Sequence, residues 1–238
     1  MPLPILRDLV SAGGACAAGG FLSWAAAAPS SQIFGPTVRH TGNPETIALT
    51  FDDGPNPALT PELLDLLDRY QARATFFVIG KWAAAEPGLT REIFDRGHLL
   101  ANHTYSHPRL ALCLRERIDE ELRRCDDAIE FATGRRSNWM RPPFGYRSPL
   151  VAQAVRDRGD EAIVMWSASA RDWKLQPEAR MIHRLQAVRG GDIVLLHDGD
   201  HRIARGDRAP TLAAVAHWLP RWKDAGFTFV TVQAAVSE

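Results

Sequence analysis

The chain of 238 residues is 45% hydrophobic, which is apolar material enough for a sizeable core in one large α/β domain or two small ones. Its 28 Lys and Arg residues balance 28 Asp and Glu, for a formal charge of zero. That excludes a global electrostatic footprint for nucleic acid or an anionic membrane surface, so any ligand has to be recognised locally.

From Leu9 to Ala28 the run LVSAGGACAAGGFLSWAAAA carries no charged residue, and the loop-like PSSQIFGP comes after it. An uncharged stretch of that length reads as a signal-peptide or membrane-anchor segment. Residues 1–36 are therefore set apart from a folded unit over 37–238, and the chain is expected to be exported or anchored at the cell envelope. The competing reading is an ordinary N-terminal helix of a cytoplasmic protein, since the run is rich in Ala and Gly and Arg7 is offset by Asp8. The cysteines add little. Cys16, in GGAC, is a poor lipid-attachment match. Cys113 and Cys125 fall in what reads as one helix over 110–132, where a rise of 1.5 Å per residue sets them roughly 18 Å apart, beyond disulfide reach. Both are assigned to packing.

Beyond Pro36, strand-like and helix-like runs alternate. TIALTFD (46–52) leads to PELLDLLDRYQ, with Thr60 as the expected N-cap and Pro61 in the first turn. RATFFVIG leads to LTREIFDRG, HLLANHT to the long 110–132 run, and a short WMRPPFG to SPLVAQAVRDRG. EAIVMWSA leads to PEARMIHRLQAVRGG and DIVLLHD to PTLAAVAHWLPRWKDAG, and FTFVTV closes the series. The strands are continuously apolar instead of alternating, as expected when helices cover both faces of a sheet. With no repeat or linker inside 37–238, this predicts one domain, built as a parallel β/α barrel or a doubly wound sheet.

In such folds reactive groups gather at the carboxyl ends of the strands. The rule collects Asp52 and Asp53 from the first strand, His103 and His107 after the third, and Arg141 at the head of RPPFGY. It adds Asp172 after EAIVMWSA and His197 at the end of DIVLLHD. Two adjacent carboxylates at the tip of a buried strand repel, and burying either one unpaired costs several kcal/mol, so a positive group belongs there. Two imidazoles four residues apart have a spacing that metals use. With one carboxylate, His103 and His107 make an Asp-His-His set suited to a catalytic Zn²⁺ or a similar divalent ion. The other carboxylate can then accept a proton from water, held ionised and aimed by Arg141, whose planar guanidinium is always charged. Each feature has a plainer reading alone: unconnected surface histidines, a surface arginine, Asp172–Trp173 as a turn with a buried aromatic, His197 as a core histidine. His40, His98, His183 and His217 have no motif partner and read as structural or solvated, whereas His201 in HDGDHR is near enough to His197 in sequence to hold a secondary role.

The set TFDDGP, HTYSH, RPPF, DW and LLH, in this order and at these intervals, resembles the polysaccharide deacetylases, the NodB-type homology domain of carbohydrate esterase family four, over roughly residues 45–233. The resemblance implies an α/β fold, a distorted and incomplete parallel (β/α) barrel of about seven strands in a single domain. It implies hydrolysis of N- or O-linked acetyl groups on sugars such as N-acetylglucosamine in chitin, peptidoglycan or related glycans. By position, Asp52 would be the general base and Asp53, His103 and His107 the metal ligands. Arg141 would orient Asp52, and the backbone N–H of Phe144 would help hold the oxyanion. His197 would be the general acid, tuned by Asp172, with Trp173 and Leu195 walling the acetyl pocket. The implied cofactor is one divalent ion, Zn²⁺ first, with Co²⁺, Mn²⁺ or Ni²⁺ as substitutes. The implied partner is an N-acetylated glycan; the charge balance argues against nucleic acid, and the uncharged run over residues 9–28 is the candidate for membrane anchoring. These motifs assign neither the glycan and its chain length nor an oligomeric state.

Departures from the family pattern are modest. Relatives often carry another carboxylate or a proline before the DW pair, where this chain has SASAR, and many have tyrosine in place of Phe144. These bear on substrate preference more than on chemistry. A phosphatase of the haloacid dehalogenase type needs its acids one residue apart, whereas Asp52 and Asp53 are adjacent. An inactive glycan-binding relative would lack a base, an acid or a ligand, and none is lacking. A hydrolase acting on a non-sugar amide would keep the same site and change the pocket.

Overall fold

Across residues 20–174 and 176–236, which the computed structural model describes, the chain begins with α1 (residues 20–27) and β1 (Thr37–Val38). It continues through β2 (Thr46–Asp52), α2 (Thr60–Arg69), β3 (Ala74–Val78), α3 (Gly80–Ala85), α4 (Pro87–Asp95), β4 (Leu99–Asn102) and α5 (Arg115–Thr133). Then come β5 (Trp139–Met140), α6 (Pro149–Arg158), β6 (Ala162–Val164), β7 (Ala168–Ser169), α7 (Glu178–Leu185) and β8 (Ile193–His197). The last elements are α8 (Ala209–Asp224), β9 (Thr228–Phe229) and α9 (Val232–Val236). All named strands pair in parallel, in the order β1-β6-β5-β4-β3-β2-β8-β7, with β9 on the start of β2. β6 and β7 are consecutive in the chain yet lie toward opposite ends of this order. Residues 165–167 therefore span the gap, and the sheet curls into the distorted, incomplete barrel that the motifs imply.

The unbroken hydrophobicity of the strands has a direct cause. Along β2, Ile47, Leu49 and Phe51 face outward into a cluster with Leu63 and Leu67 of α2 and Val215 and Leu219 of α8. Ala48, between them, faces inward with Phe77, Ala101, Trp139, Val164 and Ile193, and Val232 of α9 joins this inner cluster. Side chains alternate across a strand, so Thr50 and Asp52 share the inward face of Ala48 and are delivered to the mouth of the barrel.

Several local expectations are corrected. Thr60 is the first residue of α2 and not its N-cap, which is Leu59. The Thr60 hydroxyl instead accepts from Asn56 N–H at 2.9 Å and donates to Asp198 Oδ2 at 2.5 Å, a tertiary use that outcompetes local capping. The run over 110–132 is not one helix. Leu110–Leu112 form a single 3₁₀ turn, and α5 starts at Arg115, leaving Cys113 outside it. Both Cys113 and Cys125 are free thiols. EAIVMWSA breaks into β6 and β7 because its two halves serve opposite ends of the sheet, and FTFVTV is a strand only at Thr228–Phe229 before α9 begins. β1 and α3 were not anticipated; β1 is two residues long, too short for a periodic signal.

The expectation of a signal or anchor over 9–28 falls largely on residues 1–19, outside the described residues. The segment from residue 20 onward is fastened to the barrel. Ala25 is buried, Arg147 N–H donates to Ala26 O at 3.0 Å, and the Arg147 guanidinium donates to Ser31 O at 2.7 Å and to Ala28 O. Among the described residues no helix is long and apolar enough to cross a membrane.

Candidate active site and metal centre

Asp52, the last residue of β2, meets the positive group its burial requires. Arg141, directly after β5, is fully buried inside the barrel and donates from Nη1 to Asp52 Oδ1 at 2.7 Å and to Thr50 Oγ1 at 2.8 Å. Its Nε donates to Val164 O at 3.3 Å and its Nη2 to Met165 O at 3.1 Å, while the guanidinium lies over the Phe77 ring at 4.1 Å. Burial pushes the Arg141 pKa down and Asp52 opposes it. A guanidinium starts from so high a value that the cation persists at neutral pH. With Oδ1 so held, Asp52 turns Oδ2 toward the cleft, 3.8 Å from His103 Nε2.

Asp53 leaves the sheet with φ 71°, and Thr104, His107 and Phe144 also adopt left-handed backbone, at 66°, 62° and 60°. Each such non-glycine residue costs about 1–3 kcal/mol, so these loops are held by their surroundings. The His103–His107 loop is tied to α5. Asn102 donates to Leu122 O at 2.8 Å and Asp126 Oδ1 at 2.7 Å and accepts from Thr104 N–H at 2.8 Å. Ser106 donates through backbone and hydroxyl to the buried Glu121 carboxylate at 2.7 and 2.6 Å.

The outcome is that Asp53 Oδ1 sits 3.2 Å from His107 Nε2 and 3.5 Å from His103 Nε2, with the three ligand atoms all within 4.8 Å of one another. His103 Nδ1 is 2.7 Å from the Arg141 carbonyl, which can only accept, so Nδ1 carries a proton and Nε2 is the nitrogen turned toward Asp53. Burial holds the His107 pKa down to about 3, so its imidazole is neutral. Burial works to raise the Asp53 pKa, but the imidazoles of His201, His107, His197 and His103 hold it well below the usual carboxylate range. Asp53 Oδ1 has no hydrogen-bond partner although it is shut off from solvent. A charged carboxylate and two imidazole nitrogens converging on one point, with an orphaned oxygen among them, fit a divalent cation by donor chemistry.

Across the cleft, His197 Nδ1 donates to Asp172 Oδ1 at 2.9 Å and the His197 backbone N–H to Asp172 Oδ2 at 2.7 Å. Thr211 Oγ1 donates to the same Oδ2 at 3.0 Å. Burial alone would lower the His197 pKa, but the charge and hydrogen bond of Asp172, helped by Asp53 and Asp52, push it up to about 9. The cleft has a volume of about 370 Å³ and is lined by Asp52, Asp53, His103, His107, Phe144, Trp173, Leu195 and His197. Arg141 and Asp172 stand behind it, so all ten residues singled out in the sequence lie in or directly against one site.

Other lining residues carry no motif signal: Tyr146, Trp166, His201 and Arg202. His201 stacks on His107 with ring centres 4.4 Å apart, and its Nδ1 lies 3.7 Å from Asp53 Oδ2. A second shared scaffold behind the site also has no signature in the sequence. Buried Asp198 accepts from Thr60, its backbone carbonyl accepts from Asn56 Nδ2 at 3.0 Å, and burial pushes its carboxyl up to about 7. A Cβ at Gly199 would fall on the backbone carbonyl of Asp53. Gly199→Ala is therefore expected to lower stability by about 1–3 kcal/mol, measured by denaturant unfolding, through overpacking of the metal-side loop.

Comparison with known proteins shows the family of the chain. The family model for polysaccharide deacetylase matches residues 39–163. A peptidoglycan-N-acetylglucosamine deacetylase of Bacillus cereus is 37% identical over 199 residues, covering 80% of this chain and 87% of the relative. A chitooligosaccharide deacetylase of Sinorhizobium fredii is 40% identical over 194 residues, 79% of this chain and 89% of the relative. Among solved structures, a family 4 carbohydrate esterase from Streptomyces lividans in complex with acetate superposes with a TM-score of 0.70 at 28% identity, over 80% of this chain and 95% of its own. The chain belongs to the polysaccharide deacetylase family, the NodB-type domain of carbohydrate esterase family 4.

Proposed function

We propose that the chain removes N-acetyl groups from a glycan of the peptidoglycan or chitin type by divalent-metal-dependent hydrolysis, with Zn²⁺ as the resident ion. The relatives named above act on such glycans. The observation that carries the reading is the opposition of two preorganised pairs, Asp52–Arg141 and Asp172–His197, across a cleft that also holds the Asp53–His103–His107 cluster. A bound ion would supply Lewis-acid charge that polarises the acetyl carbonyl and acidifies water. Asp53, His103 and His107 would hold it.

The remaining work belongs to the chain. Asp52, fixed by Arg141 through Oδ1, uses Oδ2 to take a proton from the attacking water. The backbone N–H of Phe144 would donate to the developing oxyanion, a contact that works only if the donor is fixed in advance, as the strained turn at Pro143–Gly145 provides. An amine cannot leave as an anion. His197, cationic at neutral pH and locked through Nδ1 by Asp172, presents Nε2–H to protonate the departing nitrogen. Trp173 and Leu195 wall the pocket for the acetyl methyl.

Purified protein is expected to bind about one divalent ion per chain and to release acetate from N-acetylated chito-oligosaccharides or peptidoglycan fragments, with activity lost to a chelator and restored by metal. Acetate release that is indifferent to chelation sinks the metal assignment. Since a raised His197 pKa keeps the acid form populated below about 9, the rate is expected to decline as pH rises through that value. In Asp172→Asn, which removes the charge responsible, the decline moves to lower pH. A peptidoglycan substrate and the uncharged 9–28 run together support export to the cell envelope.

A further inference from the structure

Beside the active cleft lies a second hollow of about 910 Å³. Trp166 and Trp173 line both, so the two adjoin across shared aromatic walls. The hollow runs along the outer edge of β7, which among the described residues pairs only with β8, and reaches Asp192 at the base of β8. At about 3.3 Å per residue, that base is roughly 17 Å below His197, which leaves room for sugars beyond the one being hydrolysed.

Its lining is cationic. Arg171, Lys174, Arg184 and Arg189 face it, and among the described residues none of their side chains pairs with a carboxylate. Arg184 Nε is shut off from solvent without a hydrogen-bond partner. The hollow also holds one carboxylate, Asp192, which accepts from Ser167 Oγ at 2.6 Å and Arg189 N–H at 2.8 Å, so four cationic side chains face a single acid. Elsewhere on this neutral chain arginines are commonly tied to acids, as Arg115 is to Asp119 and Asp157 and Arg96 to Asp65 and Asp68. A net positive charge is thus placed along the wall where a bound polymer would continue from the acetyl site.

We propose that this groove binds carboxylates carried by the glycan beside the sugar being deacetylated, so that the substrate is an acidic amino-sugar polymer and not a neutral chito-oligosaccharide. The inference rests on the deacetylase reading and adds the charge of its substrate. Guanidinium forks match carboxylates in shape, and the two tryptophans give sugar rings an apolar face. Single exposed ion pairs are weak and screened, so the effect has to come from several together and has to fade with salt.

The test uses two soluble oligosaccharides of equal length. One alternates N-acetylglucosamine with carboxylate-bearing N-acetylmuramic acid, and the other is the same glycan with its carboxyls reduced to alcohols. Acetate release gives kcat/KM for each, and calorimetry on the metal-loaded full chain gives each affinity without relying on turnover. Wild type is expected to favour the carboxylated glycan about tenfold, with the ratio falling toward one at high salt and in the double variant Lys174→Glu/Arg184→Glu. Arg184→Gln should fall in between, and melting curves show whether the variants are folded. A ratio of one in wild type, or a ratio that neither salt nor the folded variants move, overturns the proposal. Absence of acetate from both glycans removes the deacetylase reading instead, while the calorimetric ratio still reports on the groove.

Discussion

Asp52→Asn is expected to lower kcat for acetate release by about 10²–10⁴-fold while leaving divalent-ion affinity close to wild type. The amide keeps the size of the side chain and an oxygen to accept from Arg141, but it cannot take a proton from water. Ion binding should persist because the clustered ligand atoms come from Asp53, His103 and His107, not Asp52. The substitution has a second consequence that separates it from a simple active-site knock-out. Arg141 is fully buried and Asp52 is its carboxylate partner at 2.7 Å, so removing that charge leaves a buried guanidinium facing neutral acceptors alone: the new amide oxygen, Thr50 and two carbonyls. Breaking a buried pair from one side costs about 3–5 kcal/mol, so a lower melting temperature should accompany the lost turnover. Full activity in a folded Asp52→Asn protein would remove the base assignment. A fall in melting temperature without loss of turnover would leave Asp52 as a structural partner of Arg141 alone.

The same pair shows why so much was readable in the sequence. Adjacent aspartates at the end of an apolar strand are electrostatically untenable without a counter-charge, and the strand-end rule limited where that charge could come from. Arg141 and the two histidines were the available groups. The barrel was legible for a related reason: a strand buried on both faces has to be mostly apolar, and TIALTFD meets that demand apart from its functional tip and two threonines whose hydroxyls are hydrogen-bonded. What stayed hidden depends on contacts between distant segments. Thr60 looks like a helix cap, and nothing local says that its hydroxyl will be claimed by Asp198, 138 residues away. EAIVMWSA looks like one strand because its break is set by which neighbours each half finds, not by its composition. His201 has no motif, and only the folding of its loop over His107 brings it to Asp53. Asn102 could have been noticed as the residue directly preceding His103, but its bonds to α5 are tertiary.

His103→Ala should fail differently from Asp52→Asn, and that contrast is the sharper test of the metal centre. Its imidazole does two jobs: Nε2 faces Asp53, and Nδ1–H donates to the carbonyl of Arg141 at 2.7 Å, which ties the ligand to the residue that aims the base. Weakening a group that merely orients a ligand typically costs 10–100-fold in metal affinity, so deleting the ligand itself should exceed about 100-fold, and turnover should disappear with the ion. Added metal should stabilise the wild type against heat, because a ligand bound only by the folded state shifts the unfolding equilibrium. That stabilisation should be absent in His103→Ala and retained in Asp52→Asn. Cobalt substitution gives a readout independent of catalysis: wild type and Asp52→Asn should show the visible absorption of a bound ion at about one equivalent, and His103→Ala should not. If His103→Ala binds the ion as tightly as wild type, the convergence of Asp53, His103 and His107 is a buried polar cluster and not the ion's site, and the nucleophilic water needs another source of activation.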